Sequence, residues 1–123
     1  MAKIFIDANI FIDLVENRTK LTINDLNSND LFISSLSAHI LMYTSKKKVP
    51  YPILSEIIKR FSVINFNYDI LGKALTRPTS DFEDNVQLHS AADADCDIFL
   101  TNDAGLLKLK FFGKTEIKNS LSL

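Results

Sequence analysis

A single cysteine, Cys96, stands in this 123-residue sequence, alongside three glycines, three prolines and no tryptophan. One cysteine cannot close an internal disulfide, and without a Cys cluster there is no thiolate zinc site. A reducing cytoplasmic compartment is the expectation. No apolar run approaches the roughly 18 residues of a membrane span, and no basic leader with a small-residue cleavage site opens the sequence. An excess of either charge is missing too, since the formal net charge is −1. That balance gives no global electrostatic case for a nucleic-acid partner. What remains is an ordinary globular composition, 46% hydrophobic and 24% charged, long enough for one domain over residues 1–123 with its own core.

Short apolar runs punctuate the chain, each followed by a helical pattern. Lys3–Ile6, Leu31–Ile33, Val63–Phe66 and Asp97–Thr101 read as strands, and Thr115–Ile117 as a weak edge strand. Helical repeats fit Asn9–Glu16, Thr22–Ser28, Ser34 to about Lys47, Pro52–Phe61, Tyr68–Leu75, Asp81 to about Ala94, and a short segment carrying Leu106, Leu107 and Leu109. Continuous apolar strands alternating with helices predict an α/β fold: a three-layer α/β/α sandwich around a mostly parallel sheet of four to five strands. Right-handed crossovers put every parallel strand's carboxyl end on one edge, where ligands bind in open sheets.

Two strands run straight into acids at that edge. Ile4-Phe5-Ile6 ends at Asp7, with Asn9 two residues on, and Phe99-Leu100-Thr101 opens onto Asn102-Asp103. Neither Asp7 nor Asp103 has the spacing of an obvious helix cap. Asp81-Phe82-Glu83-Asp84 begins the long helix; Asp81 reads as its N-cap and Asp84 as a capping-box variant. Asp84 also shares a helix face with Leu88 and Ala91, so its carboxylate needs a partner. Asp13, Asp93 and Asp95 read as exposed helical acids, and Asp97 as a turn residue. If Asp7, Asp84 and Asp103 converge, their repulsion calls for a hard cation, Mg²⁺ or Mn²⁺, suited to phosphoryl chemistry.

The stretches "FIDANIFIDL", "DFEDNVQLHSAADADCDIFLTND" and "GLLKL", in this order over essentially the whole chain, resemble the PIN-domain nucleases. The resemblance implies a Mg²⁺- or Mn²⁺-dependent ribonuclease, of the VapC-like toxins that a cognate antitoxin neutralises and that are commonly homodimeric. By position, Asp7, Asp84 and Asp103 resemble the catalytic, metal-holding acids, with Asn9 supporting the first of them. Thr101, before Asn102, resembles the hydroxyl residue that orients the last acid, and Asp81 could add a further negative charge. The sequence departs from the family where a Glu often begins the helix after the second strand. Ser34–Ile40 holds no acid there, and His39 occupies the neighbourhood. His39 and His89 read as ordinary helix histidines.

The clusters Lys46-Lys47-Lys48, Lys59-Arg60 and Lys108, Lys110, Lys114 and Lys118 read first as solvated helix ends. Beside an RNA-cleaving site they could contact phosphates, Lys46, Lys47 and Lys48 foremost. Two other readings stay open: a PIN-like module that binds RNA or protein without efficient catalysis, and a phosphatase using Asp7 as nucleophile. The latter fits poorly, because enzymes of the haloacid-dehalogenase type carry Asp-x-Asp where this chain has Asn9.

Overall fold

Alternation of apolar side chains along the strands divides the molecule into two cores. The computed structural model describes residues 1–120. Its strands are β1 (Lys3–Ile6), β2 (Asp30–Ser34), β3 (Ser62–Ile64), β4 (Ile98–Leu100), β5 (Phe111–Phe112) and β6 (Thr115–Lys118). Between them lie α1 (Ala8–Val15), α2 (Ser35–Thr44), α3 (Pro52–Ile57), α4 (Tyr68–Ala74), α5 (Phe82–Asp93) and α6 (Ala104–Leu107). The strands form one sheet in the order β3-β2-β1-β4-β6-β5, parallel except for the terminal β5–β6 pair.

Ile4, Ile6, Leu31, Ile33 and Leu100 point to one face and pack with the apolar stripes of α1, α2 and α3. Phe5, Phe99 and Ile117 point the other way, against Leu88 and Ala91 of α5 and Leu106 of α6. Ile70 and Ala74 of α4 close on Val86 of α5 beside them. The result is the expected three-layer α/β/α sandwich with a mostly parallel sheet.

The sheet has six strands among the described residues, one more than the upper expectation. Thr115–Lys118 is not an edge strand: it lies between β4 and the short β5, which the sequence reading passed over. Gly113, at a φ of +60°, makes the tight reversal between β5 and β6. Elsewhere the predicted elements form but are trimmed. The helix from Pro52 gives way after Ile57 to a 3-10 turn over Ile58–Arg60, and the segment after Thr22 is a 3-10 turn over Ile23–Leu26. No helix among the described residues is long and apolar enough to cross a membrane.

The strand order reverses at β1, since the chain builds outward through β2 and β3 and then returns to place β4 on the other side. Such a switch point opens a crevice at the carboxyl ends of the two strands. The residues leaving β1 and β4 at that point are Asp7 and Thr101.

Candidate metal and nuclease site

Asp7 continues the parallel ladder by one bond, its N–H donating to Leu100 O at 3.0 Å, and then starts α1 with no intervening loop. It is the N-cap of α1: Oδ1 accepts from Ala8 N–H at 2.8 Å. Oδ2 accepts the Thr101 hydroxyl at 2.7 Å, across 94 residues of sequence. Thr101 Oγ1 in turn accepts from Asp103 N–H at 3.0 Å, so one fully buried hydroxyl ties both acids to the rim. Asp103 is itself the N-cap of α6, accepting from Gly105 N–H at 3.0 Å.

The expectation that Asp7 and Asp103 are not helix caps is therefore corrected. Asp7 reaches only the first residue of its helix, Ala8, and Asp103 reaches the usual second one, Gly105, but in a helix of four residues that shows no period in the sequence. Asp81 caps α5 by accepting from Asp84 N–H at 3.0 Å, as its spacing implies. Buried Asn85 fixes the loop leading to that cap, donating to Ala74 O and Thr79 O and accepting from both the N–H and the hydroxyl of Thr79.

Asp84 differs from these caps. It is half-buried on the first turn of α5, and its carboxyl is pushed up from 3.8 to about 7. Burial contributes most, followed by the negative fields of Asp81, Asp7 and Asp103, and by a side-chain hydrogen bond with Asp103. The Asp7 carboxyl is also raised, chiefly by burial, although the Thr101 and Ala8 bonds pull the other way. The fold thus brings Asp7, Asp81, Asp84 and Asp103 into one electrostatic neighbourhood at the switch point.

An all-oxygen, acid-only donor set, with the Asp7 and Asp84 carboxyls raised, fits a hard divalent cation in its chemistry. The coordination is not preassembled, because no group of three His, Cys, Asp or Glu among the described residues is positioned to hold a metal ion. Asp7, Asp84 and Asp103, with Asp81 beside them, are the side chains that could close on one.

Other anticipated residues fall into different places. Asn9 is exposed on the first turn of α1, facing a groove shared with Ile40 and Thr44, and the bond that steadies Asp7 comes from Thr101 instead. Asn102 is exposed between Thr101 and Asp103 and faces a cavity on the α1 side. Lys46, Lys47 and Lys48 follow the far end of α2. That helix starts at the rim and its ten residues carry the chain about 15 Å away along the axis. Lys46 takes a φ of 52° as the chain leaves the helix, and Lys47 pairs with Glu16 at 3.7 Å and lies over the Tyr51 ring. These lysines lie at the end of α2 opposite to Ser34, as the first reading of them as helix-end residues expects. Lys118, beside Leu100 in the β4–β6 pairing, is the cation that the sheet carries to the rim.

His39 is exposed and stacked on Tyr43, while His89 is buried, bonded to Arg77 O at 3.1 Å, with its pKa lowered chiefly by burial. Where a Glu could have begun α2, the rim holds buried Ser34 and Ser37. The Ser37 hydroxyl donates to Gln87 Oε1 at 3.3 Å, and Gln87 Nε2 is buried with no partner among the described residues. Sequence reasoning missed Gln87. Its signal was a polar residue one turn beyond Asp84, beside Leu88 on an apolar helix.

No protein-family model matches this sequence, and no curated protein matches it significantly. Solved structures do. A chain in the crystal structure of VapBC2 from Rickettsia felis, bound to a DNA fragment from its promoter, superposes with a TM-score of 0.69 at 18% identity. The match covers 94% of this chain and 97% of that one. A chain of DNA-bound VapBC from Salmonella typhimurium matches with a TM-score of 0.64 at 20% identity, covering 96% and 98%. Over nearly its full length the chain therefore shares the α/β fold of these chains from VapBC structures.

Proposed function

We propose that this protein is a Mg²⁺- or Mn²⁺-dependent endoribonuclease, the toxin of a toxin–antitoxin pair. The observation that carries the reading is the gathering of Asp7, Asp81, Asp84 and Asp103 at the switch-point crevice, where burial first and the neighbouring acids second raise Asp84 to about 7. Carboxylates crowded in this way are relieved by a divalent cation. Asp7, Asp84 and Asp103 would hold the ion, with Asp81 adding charge. When bound, such an ion supplies charge neutralisation at the phosphate and lowers the pKa of coordinated water.

The chain's own residues set the conditions. Thr101 orients Asp7 and anchors the Asp103 backbone through a single hydroxyl. Asp84, raised to about 7, is partly protonated near neutral pH, and a bound cation would displace that proton. Lys118, at the same edge of the sheet, would meet a flanking phosphate.

The likeness to VapBC complexes supports a protein antitoxin as partner, and exposed Tyr43, Val49 and Ile53 offer apolar surface for it or for a second copy. Purified protein with Mn²⁺ is expected to cleave a labelled single-stranded RNA, and Asp7→Asn and Asp103→Asn to lose at least about a hundredfold in rate. Full activity in both variants would sink the proposal. A second reading, an RNA- or protein-binding module without efficient catalysis, is favoured by the lack of a preassembled ligand triad among the described residues. Calorimetry showing RNA or antitoxin binding without Mn²⁺ binding would establish it instead.

A further inference from the structure

Beside the acids, on the α1 side of the sheet, lies a cavity of about 350 Å³. That is at the small end of the range for ligand pockets, about 300–1,000 Å³. Leu21, Leu26 and Leu100 give it apolar walls, while Asp13, Asp25 and Asn102 supply polar groups. Asn102 joins the cavity to the acid site directly, since it stands between Thr101 and Asp103 and consecutive Cα atoms are about 3.8 Å apart.

We infer that this cavity is a nucleobase subsite, selective for guanine next to the scissile phosphate; the inference rests on the ribonuclease reading above. The lining explains the choice. No Lys or Arg among the described residues lines the cavity, and two carboxylates do, so a phosphate is excluded and a neutral ring rich in N–H donors is favoured. Both acids have an oxygen to spare. Asp25 Oδ2 accepts from Thr22 N–H at 2.8 Å and Asp13 Oδ1 pairs with Arg18 at 3.4 Å, leaving one oxygen of each for a ligand.

Guanine presents contiguous ring and exocyclic N–H donors along its Watson–Crick edge. Uracil presents its donor between carbonyl oxygens, which carboxylates repel. Leucine side chains supply the flat apolar contacts that an unstacked base requires.

Two arms test the inference. In the first, guanosine and uridine are titrated into the metal-free, full-length protein and followed by heteronuclear NMR. Guanosine is expected to shift Leu21, Leu26 and Asn102 resonances and to bind at least about tenfold tighter than uridine. Asp25→Asn, which keeps an oxygen for the Thr22 cap, and Leu21→Trp, which fills the cavity, are each expected to abolish that selectivity. Equal binding of the two nucleosides, shifts elsewhere, or selectivity unchanged in both variants overturns the inference.

In the second arm, Mn²⁺-dependent cleavage of oligoribonucleotides with one guanine is expected beside that guanine. Asp25→Asn should flatten the preference without stopping cleavage. Cleavage without guanosine selectivity leaves the ribonuclease reading standing and refutes the subsite. Selective guanosine binding without cleavage of any RNA does the reverse.

Discussion

Replacing Asp84 with Asn is expected to stabilise the metal-free protein, although it removes a charged side chain from a half-buried site. The Asp84 carboxyl stands at about 7 in the folded chain against 3.8 for an unperturbed group. The folded state therefore holds the proton more tightly than the unfolded state. Below pH 3.8 both states are protonated and nothing is lost. As pH rises from there to about 7 the unfolded chain ionises first, so stability falls, and above 7 the whole penalty is present.

Roughly three pKa units at 1.36 kcal/mol each set a ceiling of about 4 kcal/mol. Solvent reaches Asp84, and Asp81 and Asp103 are exposed, so screening reduces this to about 1–2 kcal/mol. Losing an acid from the first turn of α5 costs back about 0.3–1 kcal/mol of helix-dipole interaction. The net gain is about 1 kcal/mol, or about 3–6 °C in Tm for a domain of this size.

Thermal melts in EDTA check this. Asp84→Asn should melt above wild type at pH 8, with the difference vanishing near pH 4. Adding Mn²⁺ should reverse the order, because the cation stabilises only the chain that binds it. If the variant melts below wild type in EDTA, by the same margin at both pH values, Asp84 is not under electrostatic strain and the argument for a cation site fails.

Three further outcomes follow from the same geometry. Thr101→Val, nearly isosteric, strips Asp7 of one donor and Asp103 N–H of its acceptor, and should cost about 2–4 kcal/mol in urea unfolding at pH 7. Ser37→Ala combined with Gln87→Met removes a buried amide N–H that has no partner, and should be neutral or stabilising by up to about 1–2 kcal/mol; a loss above that size would show that Gln87 Nε2 has a partner in solution. Mn²⁺ binding near pH 7 should release protons, because Asp84 must give one up. Titration calorimetry in buffers of different ionisation enthalpy reads the release, which should disappear in Asp84→Asn and, for wild type, at pH 9.

Much of the architecture was legible because parallel strands buried on both faces leave an unmistakable pattern. Ile4-Phe5-Ile6, Leu31-Phe32-Ile33 and Ile98-Phe99-Leu100 are continuous apolar runs whose alternate members serve opposite cores. β5 escaped notice because Phe111-Phe112 is too short to show a period, and its neighbour β6 was consequently read as an edge. Lys46–Lys48 read in sequence as solvated helix ends that could also contact phosphates. Charge has no direction in sequence, and the α2 crossover carries these residues to the wrong end of the sheet. Thr101 emerged through resemblance to known proteins; its actual work, two hydrogen bonds across 94 residues and across two, depends on strand order. Gln87 gave no sequence signal strong enough to act on, since a lone Gln in a helix most often faces water.

The acids at the rim pose a problem that neither burial nor capping solves alone. Asp7, Asp81 and Asp103 each satisfy a helix N-terminus, and each in isolation is explained by that bond. Taken together they are harder to explain structurally. Ser and Asn cap a helix about as well as Asp without bringing charge, and Ser34 does so for α2 on this same rim. Three anionic caps at one crevice repel one another and Asp84, which caps no helix and whose carboxyl is pushed up to about 7. A fold selecting only for stability would use neutral caps here and an apolar residue at position 84. The helix N-termini offset part of the repulsion through their dipoles, which lets the charges persist, but they do not account for Asp84. The proposed cation, by neutralising four carboxylates, would, and that makes position 84, more than any of the capping acids, the place to test the proposal.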